Sequence, residues 1–578
     1  MKKPIYILGT GLSHDGSSCL MKDGKIVVAI EKERLTRKKH DGYNDNLTLQ
    51  YCLDAEGITF NDISLVVEKN TINLAHDKEG EKLKKGRIIP EYVPKVTISH
   101  HLAHAYSAIG TSPFEEMGIV VLDGRGASLD NCIDVPKECL PNEIQKLHKA
   151  EHCHYFEKES YYVYEKGKLT PIFKDFSRYQ VLNRDEFPFA PNDMKHSIAE
   201  LYGGASQYVF GSDFTEGKLM GLAPFGRKGI HSGKLFDLKN SRAFINYETM
   251  RNIAPSRSVK KQSFWNDFQY YADIAWWVQD ETEQAVKYLF DSYYSKAPQK
   301  NVAYAGGLAL NAVCNGKLKK STKFEEFYFQ PAAGDNGLAI GCCYYGWLEV
   351  LGKEKVKHNK STYFGKVYRE DVIIESLAEV AEKVHWERRT DYIEETAKYL
   401  ACGKVVGWFQ GESEFGPRAL GNRSILADPR QMRMQEYINR EIKHREDFRP
   451  FAPSVLIEEL NDCFELDYDT SYYMILVGKT KKEWVEKIPS VTHKDNSARV
   501  QTVSEKITPI YYSLIKEFKR ITGIPMLLNT SFNDKAMPIV ETPKEALEFF
   551  VYSKLDVLVM HDYLITRKNI KNEDKKLR

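Results

Sequence analysis

The chain opens on an apolar run at 4–9 (PIYILG), crosses the polar loop TGLSHDGSS, and resumes in SCLMKDGKIVVAIEKERL, where Asp23-Gly24 separates two alternating segments. This pattern predicts a strand, a loop and a hairpin, because an Asp-Gly pair supplies the left-handed positions of a tight two-residue turn. Two further apolar runs behave like the first. Gly118–Leu122 ends in Asp123-Gly124-Arg125-Gly126, and Asn301–Ala305 ends in Gly306-Gly307. Between them Ile274, Trp277, Val278, Ala285, Tyr288 and Leu289 recur at helical spacing, which predicts a packing helix whose aromatics belong to the core. Residues 353–362 (KEKVKHNKST) are polar and lysine-rich, and the pattern restarts beyond them. There follow an amphipathic run to Leu400, a strand at Lys404–Phe409, a Gly- and Arg-rich loop, a helix at 508–521 and a strand at Pro525–Leu528. Strands alternating with helices give an α/β protein of two domains, 1–355 and 363–570, and the lysine-rich tail from Lys571 is expected to be solvated. No internal repeat is visible.

Composition narrows the class. The 578 residues are 42% hydrophobic and 28% charged, the balance of a globular chain rather than a disordered one. Lys and Arg total 82 against 80 for Asp and Glu, so the overall field needed to neutralise a nucleic-acid backbone is missing. The first apolar run meets His14 and Asp15 too early for a secretory h-region, and Gly337–Leu351, the most apolar long stretch, carries Glu349 and is too short to span a bilayer. The ten cysteines are scattered, which suits a reducing cytoplasm and no disulfide framework. Cys132, Cys139, His148, His152, Cys153 and His154 lie close together, but without the paired spacing of a zinc module they read as ordinary surface.

Two constellations carry chemistry. In SHHLAHA, His100 and His104 are four apart, so a helix would put both imidazoles on one face. Asp335, at the Gly-flanked turn of QPAAGDNG, offers a carboxylate, and two imidazoles with one carboxylate are the pattern of Fe(II) or a similar divalent ion. The second constellation is EFGPRALGNRS with Lys443-His-Arg445-Glu-Asp-Phe-Arg449-Pro450. Arg418, Arg423, Arg445 and Arg449 with Lys443 fall within 32 positions and are read as enclosing a polyanion, since a guanidinium pairs bidentately with phosphate. No Walker A pattern is present. Strands ending in Gly-rich turns resemble actin-like and sugar-kinase-like ATPases, where backbone N–H groups hold phosphates.

The segments SHDGSS, EKERLTRKKHDG, SHHLAHA, EGKLMGLAPFG, GGLALNAVCNG, QPAAGDNG, EFGPRALGNRS, FRPFAPS and LNTSFN, in this order over roughly 1–570, closely resemble the NodU/CmcH-type carbamoyltransferases. The resemblance implies an N-terminal domain of the actin-like ATPase superfamily, built on a duplicated ribonuclease H-like fold, fused to a C-terminal YrdC-like α/β domain. It implies that the C-terminal domain makes carbamoyl-AMP from carbamoyl phosphate and ATP (with Mg), and that the N-terminal domain gives the carbamoyl group to a small-molecule hydroxyl. A closed internal route would shield the intermediate from water.

By matched motif, His100, His104 and Asp335 would hold a divalent metal, Fe(II) by expectation, with Asp123 in or near its shell. His14 would act on the acceptor hydroxyl, Lys39 would bind phosphate, and Gly306, Gly307, Asn311 and Asn315 would cradle adenosine. Glu216 and Lys218 would line the acceptor side. Arg418, Lys443, Arg449, Arg499, Asn529, Ser531 and Asn533 would bind carbamoyl phosphate and ATP. After LNTSFN the sequence runs Asp534-Lys-Ala536-Met537, where the family has a Gly-Glu pair, so no role is carried over for that Glu. A small-molecule kinase or ATPase of the actin-like superfamily, and a tRNA threonylcarbamoyl transferase, are the competing readings. No nucleic-acid or membrane partner is expected.

Overall fold

A computed structural model of the chain describes residues 3–69, 86–251, 253 and 261–568. The tail from Lys571 lies outside them. Two compact units emerge: Met1–Thr36, His40–Thr362 and Ile475–Val477 form the first, and Arg37–Lys39, Tyr363–Met474 and Gly478–Arg578 the second.

The first unit is built on two five-stranded sheets among the described residues. One comprises β1 (Tyr6–Gly11), β2 (Ser17–Lys22), β3 (Lys25–Glu31), β4 (Ile63–Lys69) and β5 (Lys95–Ile98), in the order β3-β2-β1-β4-β5. The hairpin turn between β2 and β3 falls at Asp23 and Gly24, both with positive φ, as the Asp-Gly signal predicts. β1, β2 and β3 are antiparallel, whereas β4 and β5 continue parallel to β1.

The other sheet uses β6 (Met117–Leu122), β7 (Tyr155–Glu165) and β8 (Lys168–Arg178). After the ribbon of β9 (Phe236–Lys239) and β10 (Arg242–Ile245) it adds β11 (Asn301–Ala305) and β12 (Glu326–Phe329). Its order is β8-β7-β6-β11-β12, again an antiparallel meander of three followed by two parallel strands. The ribonuclease H-like pattern therefore occurs twice, a repeat of topology that the sequence does not betray as a repeat of residues. β1 and β6 occupy equivalent central positions and are buried along their whole length, which is why both read as unbroken apolar runs.

The helical spacing at 274–289 belongs to one long helix, Phe268–Lys296, whose buried residues include Ile274, Trp277, Val278, Ala285 and Leu289. The helix His100–Thr111 follows β5 directly and is buried at every position, so its imidazoles must find partners inside the protein.

The second unit holds a ten-stranded sheet whose first and last strands in the chain, β13 (Val384–Arg388) and β22 (Tyr563–Arg567), are antiparallel neighbours at one edge. Its interior strands include β14 (Val406–Phe409), β15 (Arg423–Ala427), β16 (Ala452–Leu456), β19 (Ser497–Val503) and β20 (Met526–Ser531). The helix Pro509–Thr522 buries Tyr511, Leu514, Ile515 and Phe518, one stripe of a 3.6-residue period, against this sheet and the helix Tyr392–Ala401. It stops at Gly523, in the left-handed conformation that favours glycine. No helix among the described residues is long and apolar enough to cross a membrane.

Candidate functional site

In the first unit the chemistry-bearing residues follow the C-terminal ends of strands, where α/β folds hold their ligands. β1 runs into the loop of His14, β5 into His100, β6 into Asp123, β11 into Gly306, and β12 into the turn of Asp335. His100 and His104, one helical turn apart, bring their Nε2 atoms to 3.1 Å. Asp123 Oδ2 lies 3.0 Å and Asp335 Oδ1 3.3 Å from His100 Nε2, and Asp335 Oδ1 is 3.8 Å from His104 Nε2. One donor atom from each of the four residues falls within 4.8 Å of the others.

The donor set fits a divalent cation. Two facing imidazole nitrogens share at most one hydrogen, two carboxylates converge on them, and all four side chains are buried, an arrangement that a cation among them would balance. Burial alone would lower the His100 imidazolium, but Asp335, opposed by Lys69 and aided by Asp123, raises it to about 9. Burial would likewise raise both carboxyls; His100 holds each well below the usual range instead.

His14 reaches this centre from the β1–β2 loop, with Nδ1 3.6 Å from Asp335 Oδ2. Gly306 sits at φ 90, and a Cβ there would lie 2.3 Å from Leu122 O, so only glycine brings β11 this close to β6. Gly307 N donates to Asp123 Oδ1 at 2.9 Å. Asn311 caps the helix Ala312–Ser321 through Cys314 N and exchanges amide hydrogen bonds with Gln279. Asn315 is fully buried, and its Nδ2 donates to Ala309 O. Glu216 begins the helix Glu216–Leu222; burial raises its carboxyl, against the pull of His40 and His14. Lys218 Nζ lies 5.3 Å over the Phe210 ring.

Three residues here escaped the sequence reading. Asp15 and His40 stand in the quoted motifs without a role in the site. Lys69, at the end of β4, is 6% exposed. Burial lowers its ammonium, while Asp335 and Asp123 act the other way. Of the Cys/His group at 132–154, only Cys132 joins a ligand-capable cluster among the described residues, with Asp134 and Glu157. Lys174 Nζ already bridges those carboxylates at 2.6 and 2.5 Å, which accounts for the cluster without an ion.

In the second unit four arginines and a lysine crowd together, although not quite the expected four. Arg423 is wholly buried and structural: its guanidinium stacks on Phe409 at 3.6 Å and Nη1 donates to Gln410 O at 2.7 Å. Arg499, from β19, takes the vacant place. Burial depresses Arg418 to about 10, with Arg449 pushing the same way. Burial and the neighbouring guanidiniums lower Arg445 and Arg499 well below the arginine range. Arg449 is lowered by burial, opposed by Glu446.

Lys443, also lowered by burial, spends its Nζ on Ser531 O (2.7 Å), Asn533 O (2.6 Å) and Asn533 Oδ1 (2.6 Å), tying down the turn after β20. Asn529 Nδ2 donates to Ala419 O (3.2 Å) and Gln501 Oε1 (2.9 Å), and so fixes the Arg418 loop. Lys39, counted with this unit, donates to Lys535 O at 2.8 Å. Met537, in the departure from the family pattern, is exposed, and its carbonyl accepts from Asn533 Nδ2.

The profile of the family described as Carbamoyltransferase N-terminus matches residues 6–97 and 77–344, and that described as Carbamoyltransferase C-terminus matches 397–567. The chain belongs to the carbamoyltransferase family. It is similar to nodulation protein NolNO of Sinorhizobium fredii, 31% identical over 97% of this chain and 80% of the relative. Nodulation protein U of Rhizobium tropici is 36% identical over 92% and 91%. Among solved structures, full-length HypF in a phosphate- and nucleotide-bound form aligns at TM-score 0.36 and 12% identity, covering 61% of this chain and 57% of that one. As a member of the family the protein is an enzyme, a carbamoyltransferase, and the two constellations lie one in each matched region.

Proposed function

We propose that this carbamoyltransferase is ATP-dependent and proceeds through carbamoyl-AMP to an O-carbamoylated small molecule. In the second unit, water converts carbamoyl phosphate to carbamate and phosphate; a carbamate oxygen then attacks the α-phosphate of ATP, giving carbamoyl-AMP and pyrophosphate. In the first unit an acceptor hydroxyl attacks the carbamoyl carbon, the bond to the phosphate oxygen breaks, and AMP leaves. The single observation that carries this reading is the excess of buried positive charge around Arg418, Arg445, Arg449 and Arg499, against which Glu446 stands as the acidic neighbour. Guanidiniums that lower one another's pKa in this way favour a polyanion among them, and departing phosphate and pyrophosphate are such anions.

In the first unit His100, His104, Asp123 and Asp335 would hold the divalent ion, Fe(II) by donor type, which supplies Lewis-acid polarisation when bound. His14 takes the acceptor proton, and the backbone turn at Gly306 and Gly307 approaches the nucleotide. The purified chain, given carbamoyl phosphate and ATP, is expected to yield pyrophosphate and AMP, with carbamoyl-AMP seen by mass spectrometry. Release of ADP regardless of carbamoyl phosphate would point to a kinase or simple ATPase and sink the reading.

A further inference from the structure

The loop after β1 holds more than His14. The carboxylate of the next residue, Asp15, reaches two imidazoles: Oδ1 is 2.8 Å from His40 Nδ1, and Oδ2 is 3.4 Å from His14 Nε2. Asp15 is itself fastened by its backbone N donating to Ser13 Oγ at 3.1 Å. His40 is held twice. Its backbone N donates to Glu33 Oε2 at 3.0 Å, and its ring stacks on Phe214 at 4.0 Å and 17°. Phe214 also faces the His14 ring, at 5.4 Å. Asp15, Glu33 and His40 could be taken for a second cation site, but these mutual contacts account for their closeness.

The two nitrogens of His14 thus look in different directions. Nε2 faces Asp15, and Nδ1 faces Asp335 and the buried centre. A carboxylate on one imidazole nitrogen favours the hydrogen there and the lone pair on the other; Asp335, on the Nδ1 side, lies farther off and shares its charge with His100 and His104, which leaves Asp15 to set the His14 tautomer. We propose that Asp15 is a positioning residue for His14: it holds the Nε2–H tautomer, His40 and Phe214 hold Asp15, and His14 receives the acceptor proton on Nδ1. This rests on the reading that carbamoyl transfer takes place in the first unit. Nδ1 takes the hydroxyl hydrogen as the oxygen forms its bond to the carbamoyl carbon. The electrons of the breaking bond leave with AMP, and the imidazolium returns its proton to water. The separation of 3.4 Å is long for a hydrogen bond, and such contacts tighten when substrate binds.

Two readouts test it on the full chain. In a 15N-histidine spectrum of the zinc-loaded, diamagnetic protein, the His14 signal, identified by its loss in His14→Asn, is expected to show Nε2–H. In Asp15→Asn it is expected to shift towards a mixture of tautomers. With glycerol as the probe alcohol and carbamoyl phosphate and ATP supplied, Asp15→Asn is expected to lower kcat for AMP release by about 10- to 100-fold. KM for glycerol and the formation of carbamoyl-AMP should stay as they are, and Asp15→Glu should recover part of the loss. His40→Asn, further from the reacting atoms, should show the same shift more weakly, and stands in if Asp15→Asn fails to fold. Nδ1–H in the wild type, or undiminished transfer by Asp15→Asn, overturns the proposal. Absence of carbamoyl-AMP in every variant would instead remove the functional reading, and the spectrum would still decide the role of Asp15.

Discussion

At Glu200 burial and a neighbouring charge act in one direction. Desolvation and Asp193, which is itself paired with Arg125, raise its carboxyl from the ordinary 4.5 to about 8, so it is largely protonated near neutrality. A carboxyl whose folded pKa lies above its unfolded one stabilises the fold fully below about pH 4.5, and that contribution is lost as the pH rises through 8. Glu200→Gln, which cannot ionise, is therefore expected to flatten the fall in thermal midpoint over this window; an unchanged slope would refute the argument. Other single residues differ in how far the sequence announces them. His100 and His104 were legible because helical geometry makes an i,i+4 pair converge whatever lies around it. Lys69 and the Asp15–His40 contact were not, since their meaning depends on what other strands and loops bring within reach.

Loops show the same contrast at the scale of elements. The segment EFGPRALGNRS suggests cations gathered around an anion, yet much of it builds the loop itself. Glu414 Oε1 accepts from the backbone N of Leu420, Asn422 and Arg423, at 2.7, 2.7 and 3.1 Å, drawing the chain into a tight curl that presents Arg418. Gly421 closes the curl at φ 113, where a Cβ would stand 2.2 Å from the Tyr511 ring. Gly421→Ala combines backbone strain with an overpacked contact, each costing about 1–3 kcal/mol. It is expected to lower the urea midpoint of the second unit and weaken carbamoyl phosphate binding together; a midpoint equal to wild type would show that the loop has room. Strands and helices were read more easily than this curl, because alternation and helical period are local properties. The paired sheet order of the first unit was legible only through the family resemblance, for the opposite reason: topology can repeat where side chains do not.

Across the whole molecule the proposed division of labour rests on where charge is buried. A carboxylate-and-imidazole centre in the first unit has no excess of cations with which to bind pyrophosphate, and the second unit offers arginines in place of such a centre. If both steps used one constellation, losing either would stop both. With two constellations the defects should separate. Arg418→Ala removes a guanidinium from the cationic cluster, and the expected result is loss of carbamoyl-AMP by a factor of about 100 or more, as for a deleted group that stabilises developing charge. His14→Asn should leave pyrophosphate release from carbamoyl phosphate and ATP near the wild-type rate, while carbamoylation of the alcohol falls by about 10²- to 10⁴-fold, the usual worth of a general base. Quenched-flow measurement of pyrophosphate and of carbamoylated product in the two variants distinguishes these outcomes. Should His14→Asn abolish pyrophosphate release as well, activation and transfer would share one site, and the assignment of one step to each unit would be wrong.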